Sequence, residues 1–437
     1  MTETPPAPAP EVFAERRRRL LATLGADAAA FFPAAPAAVR SNDVEYPYRQ
    51  DSDLLYLTGF AEPESAALFL PGSPEGEFHL FVRPRDPERE TWTGRRAGLE
   101  GARERFRADV AHDIADLEPT VAKLAADRER FFAAVGRDPT ADARTLRWLH
   151  QWRQARPRQG RGPAVLADPA GIVHEMRLYK DATEIDLMRA SAAIARAAHG
   201  EALRRARPGM REFEIEALLD GAFRRHGASA PAYPSIVAAG ANATILHYVD
   251  NAARLDAGDL LLIDAGAELS GYASDVTRTF PIGLRYSAPQ RALYEIVLAA
   301  QKAAIAAVRP GATFDDPHRV ALEILVAGLI DLGLVGGSVA DAIEHGAYRP
   351  FYMHRTSHWL GLDVHDVGSY RSGDGARLLE PGMVLTIEPG LYVAADNGDA
   401  DERFRGIGIR IEDDVLVTAD GHEVLTAGIP KEVDEVE

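Results

Sequence analysis

Asp256-Ala257-Gly258-Asp259-Leu260-Leu261-Leu262-Ile263-Asp264-Ala265-Gly266 reads as a turn, an apolar strand and an acidic residue where the strand ends. The chain repeats this pattern without gaps in Glu380-Pro381-Gly382-Met383-Val384-Leu385-Thr386-Ile387-Glu388-Pro389-Gly390, so that Asp264 falls on Glu388. Four of the eleven positions are identical, a similarity that chance alone can produce, but the flanks repeat too. A helical run from Thr183 to Arg207 stops at Pro208-Gly209 and is followed by a second helix to Gly227. A helix opening at Ser287 with Pro289 runs to Arg309-Pro310-Gly311 and is followed by another over Asp316 to Leu332. Two halves that share a helix pair and an acid-tipped strand predict an internal duplication, with a ligand site at a pseudo-twofold seam.

At 437 residues the chain is long for one core, so two domains are expected. From Val12 to about Arg156, short apolar runs (Ala66 to Leu70, Phe78 to Val82) mix with amphipathic stretches such as Asp109 to Asp127, which predicts an α/β domain. Gln154 to Pro163 is basic, punctuated by Gly and Pro, and reads as a loop or linker. The expected organisation is a disordered start at 1–10, an N-terminal domain over 11–175 and a second domain over 176–437.

A formal charge of -17 argues against nucleic acid as a partner. The absence of cysteine excludes disulfides, thiolate metal ligands and a cysteine nucleophile. Met1 to Pro10 lacks the apolar region of a secretion signal and no window reaches the length of a membrane span, so the expectation is a cytoplasmic protein that does not engage a membrane.

The chemistry gathers around the acidic strand ends. Asp264 and Asp275 flank Ser270-Gly271, and a simple hairpin would set their carboxylates opposite one another, with Cβ atoms about 5 Å apart. In Arg405 to Glu412, a period of two puts Ile407, Ile409 and Ile411 on one face and Gly408, Arg410 and Glu412 on the other. The arginine there can orient a carboxylate by a charge-assisted hydrogen bond. Asp264, Asp275, Glu388 and Glu412 clustered together would take up protons unless cations neutralised them, so two divalent ions are expected, with oxygen ligands that suit manganese or magnesium.

Met353 to Val367 adds His354, His358 and His365 within twelve residues, and His247 supplies a fourth candidate from the other half. Spacing does not decide which of them ligates. Competing signatures are missing: Arg355 stands where a zincin would carry its glutamate, and there is no Gly-x-Ser-x-Gly elbow, phosphate loop or dinucleotide fingerprint.

The motifs Asp264-Ala265-Gly266, Gly271 to Thr279, Ser357 to Gly368, Glu388-Pro389-Gly390-Leu391-Tyr392 and Gly408 to Asp413, in that order, resemble the pita-bread metallopeptidases, most closely the Xaa-Pro aminopeptidase (aminopeptidase P) family. Glu45 to Phe60 resembles the N-terminal domain of the same family. The resemblance implies an α/β, creatinase-like N-terminal domain followed by a pita-bread α+β domain with pseudo-twofold duplication. It implies that Asp264 and Asp275 hold one metal, His358 and Glu388 the other, and that Asp275 and Glu412 bridge them; the usual metal is manganese. His247 and His365 match substrate-side histidines, His354 an accessory histidine, and Arg410 the arginine beside the bridging glutamate, while Asp53 and Trp92 match residues near the substrate end. Arg355-Thr356 departs from the family pattern, in which a Gly and a small residue often follow that histidine.

The resulting expectation is a homo-oligomeric (dimeric or tetrameric) aminopeptidase that cleaves peptides with proline in the second position by a metal-bridging hydroxide, with Glu388, His365, His247, His354 and Arg410 in catalytic roles. An Xaa-Pro dipeptidase shares the metal site, and a pita-bread peptide-binding module without catalysis is the non-enzymatic alternative.

Overall fold

The structure, a computed structural model, describes residues 8–283 and 285–437. Most of the stretch expected to be disordered, 1–7, lies outside the described residues, and its last residue, Pro10, is already helical. The chain divides into two compact units, one ending at Arg177 and the other running from Leu178 to Glu437.

The first unit is built on a mixed six-stranded sheet in the order Val110–Asp113, Phe78–Val82, Ala66–Phe69, Ala28–Pro33, Arg130–Phe132 and Val165–Ala167. Its apolar face packs Phe31 and Phe131 against Trp148 and Trp152 of the helix Pro139–Gln159, with Phe31 meeting the Trp148 ring edge-on at 5.0 Å. This helix corrects one expectation. Gln154 to Gln159 is not linker but the end of the helix, which the buried stripe of Thr145, Trp148, Leu149 and Trp152 draws onto the sheet. Pro157 is tolerated in the last turn, Gly160 caps it in the left-handed conformation, and the basic residues pair with acids in Arg156–Glu129 (2.8 Å) and Arg161–Asp127 (2.9 Å). Within the amphipathic stretch Asp109 to Asp127, Val110–Asp113 joins the sheet edge in parallel with Phe78–Val82 before the helix Leu117–Leu124 begins.

In the second unit the helices Ala182–Arg205 and Glu212–Arg225 pack together, as do Ala288–Ala307 and Asp316–Asp331. Asp181 opens the first with a capping box to Glu184, and Ser287 opens the third with one to Gln290. The strands fall into small antiparallel sheets. Ile236–Ala239, Leu260–Asp264 and Thr277–Pro281 form one, and Val384–Ile387, Asp413–Val417 and His422–Val424 another. Gly390–Val393 pairs with Ile407–Arg410.

The simple hairpin between Asp264 and Asp275 does not form. Ser270 and Gly271 do make a turn, at φ 51° and 88°, but the hairpin they close (Ala267–Leu269 with Tyr272–Ala273) leaves the main sheet and pairs with Ala230–Pro231. Asp264 therefore lies opposite Thr277, with Asp275 two residues short of the register. The crossing is tight at Gly266, where a Cβ would stand 1.7 Å from the carbonyl oxygen of Ser274, so only glycine fits. Among the described residues, no helix is long and apolar enough to cross a membrane.

Asp53 sits in the first turn of the helix Ser52–Thr58, buried, with Arg177 Nη1 at 2.7 Å and His174 Nε2 at 3.3 Å. Burial alone would raise its pKa, but the His174 hydrogen bond and the Arg177 guanidinium hold it down to about 2. A carboxylate depressed in the folded state stabilises above its unfolded pKa of about 3.9, and that contribution is lost as pH falls toward 2. Asp53→Asn is expected to cost about 3–5 kcal/mol at pH 7, since it removes the carboxylate charge paired with a buried arginine. In urea unfolding followed by tryptophan fluorescence, the gap to the parent protein should shrink below about pH 4; a gap independent of pH would refute the ion-pair account.

Candidate metal centre and substrate cavity

The main-chain pairing explains why the acidic strand ends meet the histidine segment. Thr386 N donates to the His358 carbonyl (3.0 Å) and Glu388 N to that of Thr356 (2.8 Å), so residues 356–360 run beside 384–388 and place His358 next to Glu388. Glu412 N donates to the Thr277 carbonyl (3.1 Å), which ties the second half's acid to the first half's strand.

The four carboxylates and His358 gather on the floor of a cavity of about 940 Å³. Asp275, His358 and Glu412 each present a ligand atom, all within 4.8 Å of one another. His358 Nε2 is 3.4 Å from Asp275 Oδ2 and 3.6 Å from Glu388 Oε1. Its Nδ1 lies 3.0 Å from the Trp359 carbonyl, which can only accept, so Nδ1 carries a proton and Nε2 is the ring nitrogen turned toward the acids. Asp264 joins through Tyr233, whose hydroxyl is 2.6 Å from Asp264 Oδ1 and 2.5 Å from Asp275 Oδ1.

Arg410 is the guanidinium of the cluster and is buried. It donates to Asp264 Oδ2 (2.7 Å), to the Tyr392 hydroxyl (3.0 Å) and to Thr277 Oγ1 (3.1 Å). Thr277 in turn donates to Glu412 Oε2 at 2.7 Å. Gly408 lets this strand approach closely: a Cβ there would be 2.1 Å from the Ala243 carbonyl oxygen.

Burying so much negative charge moves the proton equilibria. Burial pushes Asp264 up and Glu412 well up, and Glu388 to about 7. Asp275 ends below the usual carboxylate range, because the His358 hydrogen bond and charge outweigh its burial. Burial opposes charge on His358 as well, yet the Asp275 hydrogen bond and the Glu388 charge raise it to about 9. His354 is pushed down to about 4 by burial and by the neighbouring Arg410.

These residues fit divalent cations. Four carboxylates face one guanidinium in a buried site, three of them are driven toward protonation, and the oxygen-rich donor set suits hard metals. Asp264, Asp275, His358, Glu388 and Glu412 could hold such ions.

The remaining expected residues line the walls or lie elsewhere. His365 lines the cavity, its ring 4.3 Å from that of His358, and His247 lines it from the exposed segment 245–250. His354 also lines it, with Nε2 2.9 Å from the Tyr392 hydroxyl and Nδ1 3.8 Å from Glu388 Oε2. Asp53 and Trp92 belong to the other unit: Asp53 is the buried partner of Arg177, and Trp92 is 89% exposed on the helix Pro87–Thr93. Tyr233, Thr277, Tyr392 and Asp414, which accepts from Asp275 N at 3.1 Å, are contacts that sequence reasoning did not assign. Tyr233 is separated from its two carboxylates by 31 and 42 residues, with no periodicity to connect them.

Residues 186–419 match the model of metallopeptidase family M24, and residues 13–132 match that of the aminopeptidase P N-terminal domain. An Xaa-Pro aminopeptidase of Escherichia coli K12 is 43% identical over 97% of this chain and 96% of its own length. The human Xaa-Pro aminopeptidase 3 is 34% identical over 97% of this chain and 85% of its own. Among solved structures, the Pseudomonas aeruginosa aminopeptidase PepP superposes with a TM-score of 0.96 at 48% identity, covering 98% of this chain and 97% of that one. A variant of Escherichia coli aminopeptidase P in complex with substrate gives 0.95 at 42%, covering 99% and 98%. A creatinase-like α/β domain followed by a pita-bread α+β domain is thus the architecture of this chain, which belongs to metallopeptidase family M24, in its aminopeptidase P group.

Proposed function

We propose that this protein releases the N-terminal residue from peptides with proline in the second position, and that it does so with two divalent cations, manganese being the working metal. The observation that carries the reading is the buried group of four carboxylates and one imidazole lining the cavity, in a chain whose full-length relatives include Xaa-Pro aminopeptidases. Asp264 and Asp275 would hold one ion and His358 and Glu388 the other, with Asp275 and Glu412 shared. Bound there, such ions supply Lewis acidity that makes water nucleophilic near neutral pH and offsets negative charge developing on the scissile carbonyl oxygen. The proposal extends to a cytoplasmic homo-oligomer, dimeric or tetrameric, that acts on peptides and not on nucleic acid or membranes; the charge of -17 supports the second part.

The chain's own groups divide the remaining work. Glu388, 3.6 Å from His358 Nε2 and lining the cavity, would take a proton from the attacking water and pass it to the leaving proline nitrogen. His247 and His365 on the cavity wall donate hydrogen bonds to the substrate carbonyl oxygen as it gains charge. Arg410 and Tyr233 keep the Asp264 carboxylate in place. A peptide bond to proline brings no N–H into the cavity, so a wall shaped to the ring without a matching acceptor excludes ordinary peptides.

Glu388→Gln is expected to lower kcat on an Xaa-Pro-Xaa peptide by about 100- to 10,000-fold, and His358→Ala to lower metal content as well. Unchanged turnover and unchanged manganese by elemental analysis in both variants would rule out the assigned centre.

Metal affinity should rise with pH. Glu388 titrates near 7, and Asp264 and Glu412 are also raised, so at lower pH the centre holds protons that a cation must displace. Manganese calorimetry at pH 6 and pH 8 should show tighter binding at pH 8 and proton release at pH 6; equal affinity with no proton release contradicts this.

Product analysis on matched Xaa-Pro and Xaa-Pro-Xaa peptides separates the exopeptidase from a dipeptidase. Release of the first residue from the tripeptide is expected; turnover confined to the dipeptide would reassign the protein.

A further inference from the structure

We propose that Glu212, remote in sequence from every residue assigned to the site, is a positioning residue that holds the His247 segment in place and acts on the reaction through His247. The inference rests on the reading of His247 as a substrate contact.

Glu212 is fully buried in the first turn of the helix Glu212–Arg225, and its side-chain partners are all neutral. Oε1 accepts from Ala239 N (2.8 Å) and Asn242 Nδ2 (3.0 Å), at the end of one strand and in the 3-10 turn Gly240–Thr244. Oε2 accepts from the Tyr248 hydroxyl (2.8 Å) and Ala253 N (2.7 Å). One carboxylate thus clamps the chain on both sides of His247 and reaches the residue immediately after it. Asn251 adds a second anchor, accepting from Val237 N (3.0 Å) and donating to the Ser235 carbonyl (2.8 Å).

Between these anchors the segment 245–250 has no regular structure, and Ile245 and Val249 are 54% and 51% exposed. Nothing within the segment fixes the imidazole against the cavity, so its placement comes from the anchors. The 3-10 turn also packs against the strand Ile407–Arg410 at Gly408, which makes the clamp continuous with the strand bearing Arg410.

A carboxylate suits this position because both oxygens accept two hydrogen bonds. Glutamine has one acceptor oxygen, and its NH2 would face two donors. Tyr248→Phe is the milder probe: its ring keeps packing on Ile236, Ala238, Ala243 and Leu262, and what is lost is the hydroxyl with its bonds to Glu212 and to the Ala252 main chain.

The test uses the full-length, metal-loaded protein and an Xaa-Pro-Xaa peptide, with Tm and metal content measured for each variant. Tyr248→Phe and Glu212→Gln are expected to lower kcat/KM by about 10- to 100-fold at unchanged metal content, as misplacement of a catalytic group does. Added to His247→Ala, neither should cause a further fall, because the interaction it supports is already gone. An equal fold-loss in both backgrounds overturns the proposal, as does full activity of Tyr248→Phe together with a folded Glu212→Gln. An inert parent protein would instead sink the proposed peptidase function itself.

Discussion

Negative charge in a small buried volume is the constraint around which the second unit is organised. Asp264, Asp275, Glu388 and Glu412 face one guanidinium, that of Arg410, and desolvation drives three of the four toward protonation. Such a site is costly for a fold that has to stand on its own and favourable for one that captures cations. The surrounding groups are consistent with this: the Tyr233 hydroxyl is shared by two of the acids, Thr277 donates to a third, and His358 turns its Nε2 inward.

The fold delivers these groups by close main-chain approach. The chain crosses itself at Gly266 with no room for a Cβ, which brings Asp275 back to Asp264 although the two are out of register. Gly408 does the same where the Arg410 strand meets the 3-10 turn before His247. Glu212 then closes the arrangement from behind, with a carboxylate that contacts no substrate but accepts from both sides of the segment carrying His247. In this unit polar burial is used twice for opposite ends: neutral donors satisfy Glu212 completely, whereas the four acids of the floor outnumber the one guanidinium that faces them.

The first unit shows where local reading of sequence misleads. The basic, proline-containing stretch after Gln154 has the composition of a linker, yet two tryptophans one turn apart, at 148 and 152, commit the whole segment to a helix on the sheet. Composition reports what is exposed, and in this helix the buried stripe decides. Asp53, matched by motif to a residue near the substrate end, has its carboxylate engaged with Arg177 and His174 in the fold.

The sequence by itself determined the duplicated α+β design, the four main helices to within a few residues, and the identity of the acids and histidines that gather. All of these leave periodic or motif-level traces along the chain: acid-tipped apolar strands, capping residues, histidines in one short segment. Tertiary structure alone decided that the Asp264–Asp275 hairpin leaves its sheet, that Arg410 serves Asp264 and not its strand neighbour Glu412, and that Tyr233, Thr277, Asp414 and Glu212 support the site. Those hydrogen bonds join residues from 27 to 146 positions apart, and hydrogen bonds at such separations impose no spacing on the sequence. They exist only once packing has brought the strands together and excluded water from between them.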